Sequence, residues 1–235
     1  MSSARKAEQD GSARLRLALP KGRLAKDLEP LLERVGLTPE AAFDDERERR
    51  LIYRTAQDGV EVLQAKPFDV ATLVAVGGAQ LGICGADVLY EFDHREVYAP
   101  VDLRSGVCRL SLAGLPQQLA TLLDSYPRPL RIATKYPGCT KRYCAARGIE
   151  VEIIPLNGSI ELAPHLDVAD RIVDLVSTGE TLRANQLEEE AVLFHSSARL
   201  LVNRTASKLM PQRLKSLVEA FEAASAALYP FSEPD

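Results

Sequence analysis

The sequence predicts an α/β protein, and three observations support this fold class. The 235 residues are 46% hydrophobic and 26% charged, which is the composition of a globular chain. Between residues 130 and 187, short apolar runs alternate with stretches of helical periodicity in the order β-α-β-loop-β-α. This alternation predicts a mostly parallel sheet with right-handed crossovers. The length suffices for one large domain or two small ones.

The net charge and the cysteine spacing argue against several kinds of partner and site. The net charge of -4 and the pI of about 5.6 do not favour a nucleic-acid partner. No C-x-x-C pair is present and the histidines are far apart in sequence, so neither a zinc site nor a disulfide framework is expected. Reduced thiols in a cytoplasmic protein are the simplest interpretation. The residues concerned are Cys84, Cys108, Cys139, Cys144, His94, His165 and His195.

The sequence shows neither a signal peptide nor a membrane-spanning segment. Residues 1–14 are polar and charged, which predicts a disordered leader rather than a signal peptide. The longest uncharged run, residues 70–86, contains four glycines and falls short of the ~20 apolar residues of a spanning helix. We therefore expect a soluble protein without membrane contact.

The first half of the chain begins with a strand at residues 15–19 and a turn at 20–23. Leucines then recur at helical spacing up to Val35, and Gly36 is the expected stop. Lys21 and Arg23 thus follow the carboxyl end of a strand, the edge at which open α/β sheets bind ligands. The further expected elements are a hairpin at 51–54 and 60–63, a helix at 67–76, a strand at 81–85, a helix from 86, and strands at 97–101 and 107–112.

Two features of this half allow more than one interpretation. Arg47, Arg49 and Arg50 lie in a charged stretch that is typical of a solvated loop, although one of them could reach a ligand. Cys108 could be a nucleophile, but a buried structural thiol is favoured because no histidine is near in sequence.

The second half continues the alternation to the end of the chain. The expected helices are 116–123, 138–147 and a final one capped by Thr205, and the expected strands are 130–133, 151–154 and 172–176, with extended chain over 191–202. The turn at 157–161 brings Glu161 towards the same sheet.

The stretch IVDLVSTGETL, residues 172–182, carries the clearest chemical signal. A buried strand runs into the small residues Ser177 and Gly179, and a helix restarts near Thr181. Such a turn presents backbone N–H groups and hydroxyls to a phosphate, while Asp174 on the strand suits sugar hydroxyls or a metal ion. The alternative is an ordinary strand-turn-helix with a Thr N-cap.

Taken together, the motifs resemble the ATP phosphoribosyltransferase family, which opens histidine biosynthesis. The resemblance covers most of the chain. In its length the chain resembles the short form of the family, which works with a paralogue of histidyl-tRNA synthetase. The matching segments, in order, are LALPKGRL, RRLI, LGICGADVL, SGVCRLSLAG, RIATKYP, NGSIELAP and ADRIVDLVSTGETLRANQL.

The resemblance implies two α/β domains of periplasmic-binding-protein type with a central cleft, the chain crossing between them twice. The implied domains are 15–103 plus 187–235, and 104–186. It also implies condensation of ATP with 5-phosphoribosyl 1-pyrophosphate, Mg²⁺ as cofactor, and a homo-oligomer that assembles with a histidyl-tRNA-synthetase-like regulatory subunit.

The resemblance also implies roles for individual residues. Lys21 and Arg23 are the expected catalytic residues. Mg²⁺ is expected on the substrate pyrophosphate, with Asp174 or Glu161 as further ligands, and Asp170 is a weaker candidate. The ATP site is expected at Lys21, Gly22, Arg23, Arg49, Gly82 and Gly85. The phosphoribosyl pyrophosphate site is expected at Glu161, Asp174, Ser177, Thr178, Gly179, Glu180 and Thr181.

Two other functions remain open at the level of sequence. A ligand-binding module without catalysis uses the same fold, although no signal peptide or helix-turn-helix is visible. A salvage phosphoribosyltransferase usually carries two adjacent acids on the strand before the phosphate loop, whereas Asp174 is followed by Leu175.

Overall fold

The structure is a computed structural model that describes residues 14–45, 47–119 and 128–230. The chain divides into two compact units and passes between them twice. Unit 1 is formed by Met1–Gly106 with Ser197–Asp235, and unit 2 by Val107–Ser196. The expected leader, part of the helix expected at 116–123 and the last residues of the chain lie outside the described residues.

Unit 1 is built on a six-stranded mixed sheet in the order β2-β3-β1-β4-β11-β5. β1 pairs in parallel with β3 and β4, while β2, β11 and β5 run antiparallel to their neighbours. The strands are β1 (Leu15–Pro20), β2 (Ile52–Arg54), β3 (Val60–Ala65), β4 (Leu81–Gly85), β5 (Val97–Asp102) and β11 (Ala198–Asn203). The predicted hairpin and the predicted strand positions are confirmed.

Helices cover the sheet of unit 1 because each presents an apolar stripe. In α1 the buried leucines Leu28, Leu31 and Leu32 recur at helical spacing and join the same core as β1. The helix ends at Gly36, which adopts the left-handed conformation, as the sequence predicts. The helices are α1 (Arg23–Val35), α2 (Pro67–Ala75), α3 (Ala86–Phe92), α7 (Arg204–Leu209) and α8 (Pro211–Leu228).

One cap differs from the sequence-based expectation. Asn203, not Thr205, caps the helix that follows β11, because its Oδ1 accepts from the Ala206 N–H at 2.7 Å. The carboxamide also donates from Nδ2 to the Val74 carbonyl at 2.7 Å, which ties α7 to α2. The periodicity beyond Thr205 belongs to two consecutive helices, α7 and α8.

Unit 2 contains a five-stranded sheet in the order β10-β6-β9-β7-β8. β7 pairs in parallel with β8 and β9, as predicted for this stretch, while β6 runs antiparallel to β9 and β10. The elements are β6 (Cys108–Gly114), α4 (Pro116–Leu119), β7 (Leu130–Thr134), α5 (Pro137–Ala145), β8 (Val151–Pro155), β9 (Arg171–Val176), α6 (Glu180–Ala184) and β10 (Glu188–Ser196).

The boundary between the units lies later in the chain than the sequence-based domains 15–103 plus 187–235 and 104–186 placed it. The units divide after Gly106 and after Ser196. β10 therefore belongs to unit 2, because it hydrogen-bonds along β6 from Glu188 to Ser196. The polar start of β10 gave no indication in the sequence of which sheet it would join.

None of the described helices is long and apolar enough to cross a membrane.

Candidate functional site

Three adjacent parallel strands of unit 2 deliver polar residues to one edge of the sheet. β8, β7 and β9 all point their carboxyl ends to this edge. Glu161 follows β8, Lys135 follows β7, and the loop Ser177-Thr178-Gly179 follows β9. Ligands of open α/β sheets bind at such an edge, because the loops there are free to adapt while the strands hold them in place.

The loop after β9 is a tight turn that depends on one glycine. Gly179 adopts φ 77° and ψ 6°, the left-handed region, and α6 begins at the next residue, Glu180. The Thr178 hydroxyl accepts from the Glu180 N–H at 3.4 Å. Thr178, Glu180 and Thr181 are exposed, whereas Ser177 is half-buried. The five residues predicted to bind a phosphate are thus contiguous and open to solvent on one side.

Two arginines hold the backbone of this loop by its carbonyl oxygens. Arg109 on β6 donates from Nη1 to the Ser177 carbonyl at 3.1 Å. Arg183 on α6 donates from Nη1 to the Thr178 carbonyl, also at 3.1 Å. The sequence gave neither arginine a role, since nothing in the spacing shows that their side chains fold back onto the loop.

Asp174, inside β9, forms an ion pair with Lys135. Lys135 Nζ lies 3.2 Å from Asp174 Oδ1, and the ammonium also stands 5.3 Å from the centre of the Tyr136 ring. The Leu175 N–H donates to the same Asp174 oxygen at 2.8 Å. The segment RIATKYP contained Lys135, but only the parallel pairing of β7 with β9 brings it to the acid. Lys135 is therefore a residue beside a predicted site residue that sequence reasoning missed.

Glu161 lies in a short 3₁₀ helix, Ile160–Leu162, whose first residue anchors it to the core of unit 2. Ile160 is buried in the same apolar cluster as Val176 and Leu182, which flank the phosphate loop. The preceding turn requires Ser159 in the left-handed region, at φ 50°. Glu161 itself is half-exposed, on the element that shares its core with the loop.

Asp170, the weaker candidate, has a structural role at the opposite end of β9. Arg128 binds it with two hydrogen bonds of 2.7 Å, and the Arg131 backbone N–H and guanidinium add bonds of 3.0 and 3.1 Å. Burial alone would raise the pKa of this carboxyl, but the hydrogen bonds from both arginines outweigh it and hold the pKa well below its usual range. Asp170 thus lies away from the sheet edge that carries Glu161 and residues 177–181.

In unit 1, the segment Lys21-Gly22-Arg23 joins β1 to α1 at the carboxyl end of the strand. Gly22 adopts φ 87° and ψ -149°, a conformation essentially restricted to glycine. Lys21 is exposed, and the Arg23 guanidinium lies 3.7 Å from Asp27 one turn further along α1. The glycine fixes the direction in which the two cations leave the strand.

The structure distinguishes the arginines of the charged loop. Arg50 is held on the surface of unit 1 by Glu48 at 2.9 Å, by Glu40 at 3.3 Å and by the Tyr53 ring. Arg49 is exposed and is bonded through its backbone N–H to Glu48, and its side chain makes no hydrogen bond or ion pair within residues 14–45, 47–119 and 128–230. Of these two, Arg49 is the one whose guanidinium is available to a ligand.

The two glycines predicted for the ATP site differ in environment. Gly85 is half-buried and precedes the first turn of α3. Gly82 is buried inside β4, where a Cβ would lie 2.7 Å from Val74 Cγ2 and 2.9 Å from Val70 Cγ1. The need for glycine at position 82 is therefore explained by the close packing of α2, which differs from the backbone approach to a nucleotide expected from the sequence.

The predicted site residues thus form two groups, one in each unit. Unit 2 contains the complete phosphoribosyl set, with Glu161, Asp174 and the loop of residues 177–181 on the edge defined by β7, β8 and β9. Unit 1 contains the predicted ATP set, in which Lys21, Gly22 and Arg23 follow β1 and Gly85 ends the neighbouring parallel strand β4.

The described residues offer few ligands for a metal ion. No cluster of three or more His, Cys, Asp or Glu side chains that could hold a metal ion occurs among residues 14–45, 47–119 and 128–230. Mg²⁺ commonly uses one or two carboxylates together with substrate phosphates, so Asp174 and Glu161 fit a substrate-borne Mg²⁺ and do not form a protein cage.

The cysteines do not form a nucleophilic site in the part of the chain that the structure describes. Cys108 is half-buried on β6 opposite Ser196. Burial, together with the neighbouring Asp87, raises the pKa of the Cys84 thiol, and burial raises that of Cys144. Raised thiol pKa values disfavour the reactive thiolate, so Cys84 and Cys144 fit a structural role. The expectation that Cys108 is a buried thiol is wrong in its burial, since Cys108 is half-buried.

Fold and site together define a class, namely an α/β protein of two units, each with a mixed sheet and with anion-suited loops at its strand ends. The family model described as "HisG: ATP phosphoribosyltransferase" matches residues 66–223. The chain belongs to the ATP phosphoribosyltransferase family.

Individual relatives agree with this assignment. The ATP phosphoribosyltransferase of Paramagnetospirillum magneticum is 50% identical over 214 residues, which cover 90% of this chain and 96% of the relative. That of Sphingopyxis alaskensis is 51% identical over 209 residues, which cover 88% and 92%.

Two solved structures are also similar to this chain. The ATP phosphoribosyl transferase (HisG:HisZ) complex from Thermotoga maritima contains a chain that is 32% identical, with a TM-score of 0.75 and coverage of 91% of this chain and 99% of that one. The Bordetella pertussis BvgS VFT2 domain, at 12% identity, TM-score 0.56 and 96% coverage of both chains, shares the fold alone.

Proposed function

We propose that the protein catalyses the condensation of ATP with 5-phosphoribosyl 1-pyrophosphate to give N1-(5-phosphoribosyl)-ATP and pyrophosphate, the first step of histidine biosynthesis. Family membership supports the activity. The observation that carries the assignment of the site is the loop of residues 177–181, whose carbonyls at Ser177 and Thr178 are bound by two arginines. Its hydroxyls and N–H groups are the donors that a 5-phosphate requires.

In this proposal Ser177, Thr178, Gly179, Glu180 and Thr181 form the phosphate-binding segment of the phosphoribosyl site. Asp174 and Glu161 bind the ribose hydroxyls or the metal ion carried by the substrate. Both protein donors to Asp174 within the described residues lie on Oδ1, so Oδ2 is the oxygen that a ligand would use. When bound, Mg²⁺ supplies neutralisation of the charge that develops on the pyrophosphate.

The reaction joins adenine N1 to C1 of the ribose as the bond from C1 to the pyrophosphate oxygen breaks, with inversion at C1. Lys21 and Arg23 stabilise the negative charge on the phosphate groups, and Gly22 directs both side chains. Arg49 and Gly85 complete the ATP site, while Gly82 acts indirectly by seating α2. The exposed Lys21 side chain places a positive charge at the end of β1, where an anionic ligand is expected.

The proposal also includes a cofactor, a protein partner and a cellular location. Mg²⁺ is the expected metal, because the carboxylates at the phosphoribosyl edge are too few for a protein cage and sufficient for a substrate-borne ion. A regulatory subunit of the HisZ kind is the expected partner, in addition to further copies of the chain, because the similar Thermotoga maritima chain occurs in a HisG:HisZ complex. The cytoplasm is the expected location.

A direct assay tests the activity. The purified full-length chain is mixed with ATP, phosphoribosyl pyrophosphate and Mg²⁺, with and without the regulatory subunit of the same organism. We expect a new ultraviolet-absorbing adduct that requires both substrates. A ligand-binding module would bind one substrate without forming the adduct, and a salvage enzyme would consume a free base instead of ATP.

The phosphate loop is tested with the double variant Thr178→Val, Thr181→Val. It removes two hydroxyls and should raise the KM for phosphoribosyl pyrophosphate at least tenfold, since each lost hydrogen bond to a charged group weakens binding by about 1.5–3 kcal/mol. Thr72→Val, an exposed threonine on α2, is the matched control. An unchanged KM in the double variant would show that the loop binds something else.

A further inference from the structure

The Arg109 side chain makes three hydrogen bonds to two partners and has no role in the proposed chemistry. It lies on β6, opposite Val176 of β9 on one side and His195 of β10 on the other. Its Nη1 donates to the Ser177 carbonyl at 3.1 Å, the first carbonyl of the phosphate loop. Its other two bonds go to β10, so this side chain links the edge strand to the loop.

The guanidinium of Arg109 is fixed in orientation. Its Nε and Nη2 both donate to Glu189 at 2.6 Å, one to each carboxylate oxygen, which is the bidentate geometry that arginine and carboxylate favour. Ser111 donates from Oγ to the same carboxylate at 2.7 Å. The hydrogen bond from Arg109 lowers the pKa of Glu189, so the carboxylate is charged near neutrality.

The direction of the third bond determines where the loop presents its amides. In a trans peptide the C=O and the following N–H point in opposite directions. Because Arg109 draws the Ser177 carbonyl to one side, the Thr178 N–H points to the other side. Arg183 does the same for the next peptide, since it binds the Thr178 carbonyl and so turns the Gly179 N–H outward.

We propose that Arg109, held by Glu189 and Ser111, is a positioning residue that keeps the Thr178 N–H directed at the 5-phosphate of the substrate. The inference rests on the proposed function, because it requires that the loop binds that phosphate. Arg109 acts on the substrate through the Ser177 carbonyl. A guanidinium whose Nε–Nη2 edge is held by Glu189 gives the loop a fixed conformation before the substrate arrives, which lowers the entropic cost of binding.

The principal variant is Arg109→Gln, compared with Arg131→Gln as a matched control. Both arginines belong to unit 2, pair with a carboxylate and have similar side-chain exposure, 29% for Arg109 and 28% for Arg131. Arg131, however, binds Asp170 at the far end of β9. We expect Arg109→Gln to raise the KM for phosphoribosyl pyrophosphate about tenfold. We expect kcat and the KM for ATP to stay within about twofold, and Arg131→Gln to leave all three constants near those of the wild type.

Two further variants separate positioning from simple charge attraction. Arg109→Lys keeps the positive charge but cannot bridge Glu189 and Ser177 in the same geometry, so we expect no rescue of the KM. Ser111→Ala removes one bond to Glu189 and should raise the KM two- to threefold, a milder change in a variant that is expected to fold if Arg109→Gln does not.

The outcomes are distinct. Full rescue by Arg109→Lys, or equal effects of Arg109→Gln and Arg131→Gln on the KM, would overturn the positioning role while the wild-type activity still supports the proposed function. A wild-type protein that neither binds phosphoribosyl pyrophosphate in calorimetry nor forms the adduct would overturn both. A selective rise in the KM for phosphoribosyl pyrophosphate, without rescue, would support the proposal.

Discussion

Arg171 donates from Nε to Glu190 Oε2 at 2.7 Å, although β6 lies between the strands that carry the two residues. The arginine is fully buried, and its guanidinium also donates to the Asp170 and Gln118 carbonyls. The crossing is possible because Gly114 of β6 has no side chain, since a Cβ there would lie 2.7 Å from Arg171 Cδ. The pair therefore holds β10 to the sheet of unit 2.

The first prediction concerns this pair. Glu190→Ala removes the carboxylate that binds the buried Arg171 guanidinium at 2.7 Å and should lower the free energy of unfolding by about 3–5 kcal/mol in urea titrations. The double variant Arg171→Met, Glu190→Leu removes both charges and should recover at least half of that loss, because a well-packed apolar pair can replace a buried ion pair. A double variant less stable than Glu190→Ala would contradict this account.

The second prediction tests the packing role of Gly82. Gly82→Ala should destabilise the protein by about 1–3 kcal/mol, because the new methyl group would overlap Val74 and Val70 of α2. Adding Val74→Ala should recover part of the loss by making room for the methyl group.

Gly78→Ala is the matched control for Gly82→Ala. Its Cβ would meet Leu73 at an ordinary 3.4 Å, and we expect a change of no more than about 0.5 kcal/mol. Thermal unfolding followed by circular dichroism measures all three variants. If Gly82→Ala is as stable as the wild type, the position needs its glycine for a ligand and not for α2.

The third prediction tests the conformation of Gly22. Gly22→Ala places a Cβ at φ 87° and ψ -149° and should cost about 1–3 kcal/mol of stability, with a higher KM for ATP because Lys21 and Arg23 are redirected. Gly36→Ala is the control, since Gly36 has the ordinary left-handed conformation and should cost only about 1 kcal/mol without affecting the KM. Apart from its chain neighbours, no atom of the described residues lies within 4 Å of either methyl group, so the comparison isolates the backbone.

The sequence predicted well those elements that can be identified from a pattern within their own residues. Leucine spacing with Gly36 gave α1, and the turn before Val60 gave the β2–β3 hairpin. Residues 177–181 could be predicted as a phosphate-binding loop because its small residues are contiguous, and this role stays a prediction. Contiguity also explains why Lys21, Gly22 and Arg23 were predicted together.

Contacts between distant segments were not predictable in the same way. Arg109 and Glu189 are 80 positions apart, and only the register of β6 with β10 brings them together. Lys135 reaches Asp174 because β7 pairs in parallel with β9. The sequence-based domains placed β10 with the first unit for the same reason, because strand pairing depends on partners that local pattern does not identify.

The last prediction concerns the acid dependence of stability. The folded protein holds the pKa of Asp170 below its usual range, because the bonds from Arg128 and Arg131 favour the charged form more than burial disfavours it. A group whose pKa is lower in the folded than in the unfolded state stabilises the fold above its unfolded pKa of about 4, and this contribution is lost as the pH falls towards the folded value. Asp170→Asn should therefore be less stable than the wild type at pH 7, and the difference should shrink between pH 4 and pH 2. Urea titrations at several pH values measure it. A difference that stays constant down to pH 2 would mean that Asp170 stabilises the sheet by shape and neutral hydrogen bonds, and not by its charge.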